Sequence, residues 1–272
     1  MKSTFFKNIF KNFDSKKYFE DNNLQNLFSE VDIGIKFESV IKDPFERVNP
    51  KNQIQFEPDY SDLSRLHYIV VKRKVTTILE FGVGKSSIVL ADGLKQNKLK
   101  YGDFVTKNLR RSNLFELHSI DNIRKWINVC KKQIPINLKS YTNFHYAKVI
   151  TSSFNGRLCT FYEKLPNICP DLIYLDGPDQ FSSNGDLRGM STRHPDRMPM
   201  AADVLSFEHF LIPGTIIIVD GRTANARFLK SNLQREWDYF HFENFDQHIF
   251  LLTEKPLGQY NKNYLDFINI KN

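Results

Sequence analysis

Cysteine is scarce in this 272-residue chain. The three present, Cys130, Cys159 and Cys169, are widely spaced and form no CxxC pair, so neither a disulfide framework nor a zinc knuckle is suggested. Long apolar runs are missing as well: the longest mainly apolar run, Phe210 to Val219, is interrupted by Pro213 and Gly214 and is far too short to cross a bilayer. The start, MKSTFFKNIFKNFDSKK, has neither a continuous apolar stretch nor a small-residue cleavage site, which points away from a signal peptide and towards a cytoplasmic location. There is no block of one charge. The net charge is +7, but Lys and Arg are scattered along the chain and no compact basic stripe or base-stacking motif is present, so nucleic acid is not the expected partner.

Aromatic residues, in contrast, are plentiful. With 24 Phe, 11 Tyr and an ordinary charged fraction, the chain has the composition of a globular protein, long enough for one large domain with an appendage. Residues 1–74 read as a helical N-terminal extension. Phe5, Phe6, Ile9, Phe10 and Phe13 recur at helical spacing with Lys2, Lys7, Lys11, Lys16 and Lys17 between them, a basic amphipathic helix. Such a helix can make peripheral contact with an anionic membrane, pack on the protein's own core, or pack on a second subunit of a homo-oligomer; packing on protein is favoured. A polar stretch with Pro44, Pro50 and Pro58 leads to Asp62, read as the cap of a helix carrying Leu63, Leu66, Ile69 and Val70.

From Val75 the pattern becomes short apolar strands alternating with helical stretches, which predicts a doubly wound α/β domain over residues 75–272. Strands are expected at Thr76–Phe81, Leu114–Ile120, Phe144–Ile150, Asp171–Leu175 and Thr215–Val219. Helices are expected at Ser86–Leu94, Arg124–Gln133 and Met200–Leu211, and Trp237–Phe242 with His248–Thr253 reads as an antiparallel hairpin closing the sheet.

The chemistry-bearing residues cluster where these strands end. The first closes in Glu80-Phe81-Gly82-Val83-Gly84-Lys85-Ser86-Ser87, small residues where a backbone must approach a ligand and a helix begins. A dinucleotide fingerprint wants a third glycine at Ser87, and a phosphate-cradling P-loop wants a glycine where Leu79 stands. The second strand ends in Asp121, a carboxylate able to accept two hydrogen bonds at once, or alternatively a cap for the helix beginning near Ile123. Asp176-Gly177-Pro178-Asp179 and Asp220-Gly221-Arg222 close the fourth and fifth strands, which places Asp176 and Asp220 near each other at the crevice of an open sheet. Asp176, Asp179 and His194 are candidate general bases; the alternative for Asp179 is a turn-former. Gln180–Pro199 is a long polar loop at the same edge, with Arg188, Arg193 and Arg197 available for an anionic or polyhydroxylated ligand.

Strand, Glu80, Gly82, Gly84 and helix, followed by Asp121 at the next strand end, resembles the core of class I (Rossmann-like) S-adenosylmethionine-dependent methyltransferases over roughly Val75 to Lys255. The strings LEFGVGKSS, IYLDGPD and IPGTIIIVDGRTANARF also look like a bacterial methyltransferase-like family of unassigned activity. The resemblance implies a mostly parallel seven-stranded sheet with a C-terminal antiparallel hairpin, and S-adenosylmethionine held by Glu80, Gly82, Gly84, Ser86 and Asp121. It implies methyl transfer to a small-molecule or saccharide acceptor, with a hydroxyl oxygen favoured because Asp176-Gly177-Pro178-Asp179 departs from the amine-methylating signature. In a metal-using subgroup, residues matching Asp176 and Asp220 hold Mg2+ or Mn2+; here Gly221 stands where a further oxygen ligand often follows. A P-loop-like nucleotide-binding protein and a nucleic-acid-binding protein on the same scaffold are the alternatives. The segment Lys95 to Asn113, which lengthens the gap between Gly84 and Asp121, reads as an insertion.

Overall fold

The computed structural model describes residues 4–28 and 58–269. Strands β1 (Thr77–Phe81), β2 (Glu116–Asp121), β3 (Thr142–Tyr146), β6 (Leu172–Leu175), β8 (Ile216–Asp220), β9 (Trp237–Phe242) and β10 (Gln247–Leu252) form one sheet in the order β3-β2-β1-β6-β8-β10-β9. All neighbours are parallel except β10, which runs antiparallel to both β8 and β9. This is the mostly parallel seven-stranded sheet with a closing hairpin expected from the sequence. The parallel strands run outward in chain order from β1 through β2 to β3 on one side and from β6 to β8 on the other, so the switch point that makes a ligand crevice in open α/β sheets lies between β1 and β6.

The central strands are buried on both faces, which explains their nearly continuous apolar sequences. Side chains alternate with period two. Ile78, Leu172, Tyr174, Ile216 and Ile218 point into a cluster shared with α2 (Ser15–Asp21), α3 (Tyr60–Lys72), α4 (Lys85–Asn108) and α5 (Arg124–Gln133). Leu79, Phe81, Ile173, Leu175 and Val219 point into the opposite one, shared with α6 (Asp203–Phe207), α7 (Thr223–Asn232) and a small second sheet. Helix α8 (Gln259–Asn269), which the sequence reading did not foresee, packs Tyr264, Phe267 and Ile268 on Val105, Leu109 and Phe115.

Several expected elements differ in the structure. The single N-terminal amphipathic helix is replaced by one turn, α1 (Thr4–Lys7), and by α2, separated where Asn12 adopts a left-handed φ of 64° and Asp14 caps the Lys17 amide. The aromatic stripe nevertheless packs on the protein's own core: Phe6 stacks on Phe240 at 5.9 Å, and Phe10 meets Phe242 and Phe245 edge-on at 5.1 and 5.4 Å. Lys2, Pro44 and Pro50 lie outside the described residues. The cap of α3 is Asp59, whose carboxylate accepts the Ser61 amide at 2.8 Å, not Asp62, which sits in the first turn and pairs with Arg65.

The expected insertion Lys95 to Asn113 is largely helix. No proline interrupts it, so α4 simply continues to Asn108, 24 residues in all. The expected third strand, Phe144–Ile150, straddles the end of β3 and the start of β4 (Val149–Phe154), which belong to different sheets. β4 pairs with β5 (Arg157–Tyr162) through Asn155-Gly156, both at positive φ as a tight hairpin turn requires, and with the two-residue β7 (Ser183–Asn184). The helix expected from Met200 begins only at Asp203, because Met200 and Ala202 are tied to Thr160 by backbone hydrogen bonds of 2.8 and 3.0 Å, and it ends at Phe207 in a 3-10 turn, Glu208–Phe210.

Candidate functional site

Phe81 pairs with Leu175 and Leu175 with Val219, so Gly82, Asp176 and Asp220, each one residue further on, stand at the same level of the sheet edge. The floor between them is backbone on backbone. Gly82 holds a left-handed φ of 99° and donates to Ile120 O at 2.8 Å, and Asp176 N donates to Phe81 O at 3.0 Å. A Cβ on Gly177 would lie 2.7 Å from Gly82 N, so the β1 and β6 loops can touch only because both residues lack side chains.

Glu80 is fully buried beneath this floor. Its carboxylate accepts hydroxyl hydrogen bonds from Ser86 and Ser87 at 2.6 Å and from Ser119 at 2.5 Å. Burial still wins over those donors and pushes its carboxyl up to about 7. Ser86, an expected cofactor contact, therefore acts as a tether between helix α4 and Glu80. Gly84, extended and just ahead of α4, donates its N–H to Ser87 Oγ at 3.3 Å, and a Cβ there would meet only Ser86 Oγ, at 3.9 Å.

Asp121 ends β2, and its Oδ1 accepts the Ile123 amide at 2.7 Å, which orders the turn before α5; it does not cap that helix, whose N-cap is Ile123 with no side-chain cap bond. Burial, and after the backbone donors the nearby Asp179, leave its carboxyl at about 6. Beside it lies a cavity of about 280 Å3 lined by Asn122, Ile123, Tyr146, Lys148, Ser182 and Asn184 among others.

Asp176 and Asp220 are brought together as expected, one residue beyond the paired Leu175 and Val219. They are not equivalent. Asp220 Oδ2 accepts the Tyr174 hydroxyl at 3.0 Å and Oδ1 the Gln247 amide at 3.4 Å, while burial raises its proton affinity and Arg65 opposes that rise. The Asp176 carboxylate accepts no hydrogen bond among the described residues. The residue is exposed to solvent at the carboxyl end of β6, although protein atoms are dense around its carboxylate. That enclosure, then the charge of Asp220, lift it to about 7, and Arg222 counteracts in part. Arg222 is buried and donates to the Pro178 carbonyl, joining the β6 and β8 loops.

Asp179 and His194 are placed apart from this pair. The Asp179 carboxylate accepts the amides of Phe181 and Ser182 at 2.7 and 3.0 Å as well as the Ser182 hydroxyl, so it orders a turn. The exposed His194 ring accepts from the Asp196 amide at 3.2 Å within its own loop. The loop from Gln180 to Pro199 is laced internally: Thr192 donates to Gln180 O, Arg193 binds Ser183 O and Asp186, and Arg197 binds Ser191 O.

Sequence reasoning missed Tyr174 and Arg65. Tyr174 lies two residues before Asp176 on the same strand face, and period two could have found it. Arg65 is a buried cation on α3, ion-paired with Asp62, 4.0 Å over the Phe245 ring and within electrostatic reach of Asp220; an arginine beside the Leu63-Leu66-Ile69 stripe was its signal.

No family model matches the chain, and no curated protein is similar enough to match it. Among solved structures, it is similar to cofactor-bound Rv0187 from MTB (12% identity, TM-score 0.46, covering 83% of this chain and 97% of that one). It is similar also to an O-methyltransferase from Bacillus cereus in complex with SAH (15%, 0.43, 84% and 99%) and to the SAH-bound methyltransferase PaMTH1 of Podospora anserina (13%, 0.44, 79% and 89%). The strand order seen directly is the Rossmann-like arrangement that the class I methyltransferase resemblance implies. At these identities and TM-scores the likeness assigns neither reaction nor acceptor.

Proposed function

We propose that the crevice at the carboxyl ends of β1, β2, β6 and β8 binds S-adenosylmethionine and directs its methyl group to a hydroxyl oxygen of a small-molecule or saccharide acceptor, with Asp176 as general base. The observation that carries this reading is the Asp176 carboxylate, open to the crevice, free of hydrogen bonds among the described residues and held near 7. A base of that proton affinity is half-ionised near neutrality and accepts a hydroxyl proton with good driving force.

The residues fit the cofactor. Gly82 and Gly84 expose backbone at the start of a helix, where side chains would otherwise stand in the way. Asp121 uses Oδ1 for Ile123 and retains acceptor capacity for the two ribose hydroxyls. Glu80 acts through the glycine loop, which it anchors by way of Ser86 and Ser87. When bound, the cofactor supplies an electrophilic methyl group on a sulfonium. Tyr174 and Gln247 fix Asp220 in place, and the negative charge of Asp220 keeps the proton affinity of Asp176 high.

A second reading places Mg2+ or Mn2+ between Asp176 and Asp220, a hard-oxygen pair suited to such ions. Asp220 already accepts from two donors, Arg222 and Arg65 supply positive charge beside the pair, and Gly221 adds no side-chain oxygen. The general-base reading is therefore preferred.

Calorimetric titration with S-adenosylhomocysteine tests the assignment: the protein should bind it, Asp121→Ala should weaken binding, and Asp176→Asn should leave it unchanged. Absence of binding, with ATP bound instead, would overturn it in favour of a nucleotide-binding protein.

A further inference from the structure

We propose that His241, Asp246 and His248 form a binding site for a divalent transition-metal ion, with zinc as reference, at the tip of the β9–β10 hairpin. The inference is independent of methyl transfer. Hairpin register sets His241 directly opposite His248, and their rings stack with centroids 4.0 Å apart. Asp246, in the left-handed conformation at φ 44°, turns its carboxylate back over both: Oδ1 lies 3.7 Å from His241 Nε2 and 3.4 Å from His248 Nε2. One ligand atom from each residue falls within 4.8 Å of the others. Ligands about 2.0 Å from a tetrahedral zinc stand about 3.3 Å apart, and because the two rings lie only 17° from parallel, the partly exposed His241 ring must turn out of the stack to share an ion with His248.

One neighbour points the same way. Tyr239 OH lies 2.9 Å from His248 Nδ1, the kind of outer partner that fixes a ligating imidazole with its other nitrogen towards the ion. Thr223 Oγ1 lies 3.0 Å from His248 Nε2 and 2.5 Å from Asp246 Oδ1. Thr223 donates its one proton to Asp246 Oδ1 and can accept from His248 Nε2 when the ring carries its proton there; an ion that takes Nε2 as a ligand replaces that proton. His248 is fully buried, whereas the His241 and Asp246 side chains are 26% and 51% exposed, which leaves an entry path and room for a water ligand. Two imidazoles and one carboxylate suit zinc and its transition-metal neighbours, not magnesium.

The site is separate from the crevice. His248 pairs with Val219, which faces the α6–α7 core, whereas Asp220 is bound by Tyr174 on the other face. The two are nonetheless coupled, because Gly221 donates to Asp246 O at 3.0 Å and Gln247 reaches Asp220. An ion here would brace the loop that follows β8.

The test is titration of the chelator-treated full-length protein with zinc alone, with cobalt absorption as a geometric readout. One zinc per chain should bind, magnesium should not compete, and cobalt should give a tetrahedral or five-coordinate spectrum. Tyr239→Phe should weaken zinc about 10-fold, and His241→Ala or Asp246→Asn by about 100-fold or more. The last two sites are partly exposed, and Asn accepts the left-handed turn, so these variants keep the fold. Asp176→Asn should bind zinc normally. No zinc binding, unchanged affinity in both His241→Ala and Asp246→Asn, or loss of zinc in Asp176→Asn would each overturn the proposal; the last would place the ion in the crevice.

Discussion

Glu80→Gln removes the ionisable carboxyl from beneath the crevice floor while keeping the side chain's shape. Glu80 is completely buried, and its carboxyl sits at about 7 against an ordinary 4.5, burial being the largest cause. That displacement corresponds to about 3 kcal/mol of preference for the protonated form in the folded state. Because the folded value is the higher one, this stabilisation is complete at low pH and is lost as pH rises through 7. A glutamine cannot ionise and loses nothing. Its amide replaces one acceptor by a donor facing the hydroxyls of Ser86, Ser87 and Ser119, so the variant should start less stable by roughly 1 kcal/mol in acid. Urea denaturation from about pH 5 to about pH 8 should therefore show the variant gaining on the parent by about 2 to 3 kcal/mol and overtaking it on the alkaline side. A stability difference that is flat with pH, or that moves against the variant as pH rises, would refute the account of a buried carboxyl held neutral.

Once an acceptor is known, Asp176→Asn should lower turnover about 100-fold or more. Parental activity should rise with pH through about 7 as the Asp176 carboxyl deprotonates, and that step should vanish from the variant's profile. Gly177→Ala places a methyl 2.7 Å from Gly82 N and 2.8 Å from its Cα, so chemical denaturation should show a loss of about 1 to 3 kcal/mol; unchanged stability would mean the two loops do not touch. Phe10→Ala should cost about 2 kcal/mol through its lost contacts with Phe242 and Phe245, and a neutral melting curve would show that the N-terminal segment is not docked on the hairpin.

Much of the crevice was legible because it is written locally. A run such as Ile173-Tyr174-Leu175-Asp176 states a doubly buried strand and its polar end in four residues, and Arg124–Gln133 shows its apolar face at helical spacing over its whole length. Residues that came together through neighbouring central strands, Asp176 with Asp220 above all, could be paired from order alone. Asp179 could not be assigned, since a carboxylate after a strand looks the same whether it faces a ligand or accepts Phe181 and Ser182 amides. The second sheet was overlooked although Asn155-Gly156 between two β-rich runs signalled its hairpin, because the expected third strand had already absorbed part of β4.

The sequence by itself determined the alternation of strands and helices, the antiparallel closure and the polar residues at each strand end, since hydrophobic period and turn chemistry act between residues close in the chain. Tertiary structure decided what those polar residues are. Whether a carboxylate is enclosed, which donors reach it and which charges face it depend on elements far apart in sequence. Arg65 of α3 lies near Asp220 of β8, Ser119 of β2 holds Glu80 of β1, and His241 and His248 meet through a hairpin whose turn folds Asp246 over them. The electrostatic energy of such groups is set by burial and by distance through space, and neither quantity exists until the chain has packed.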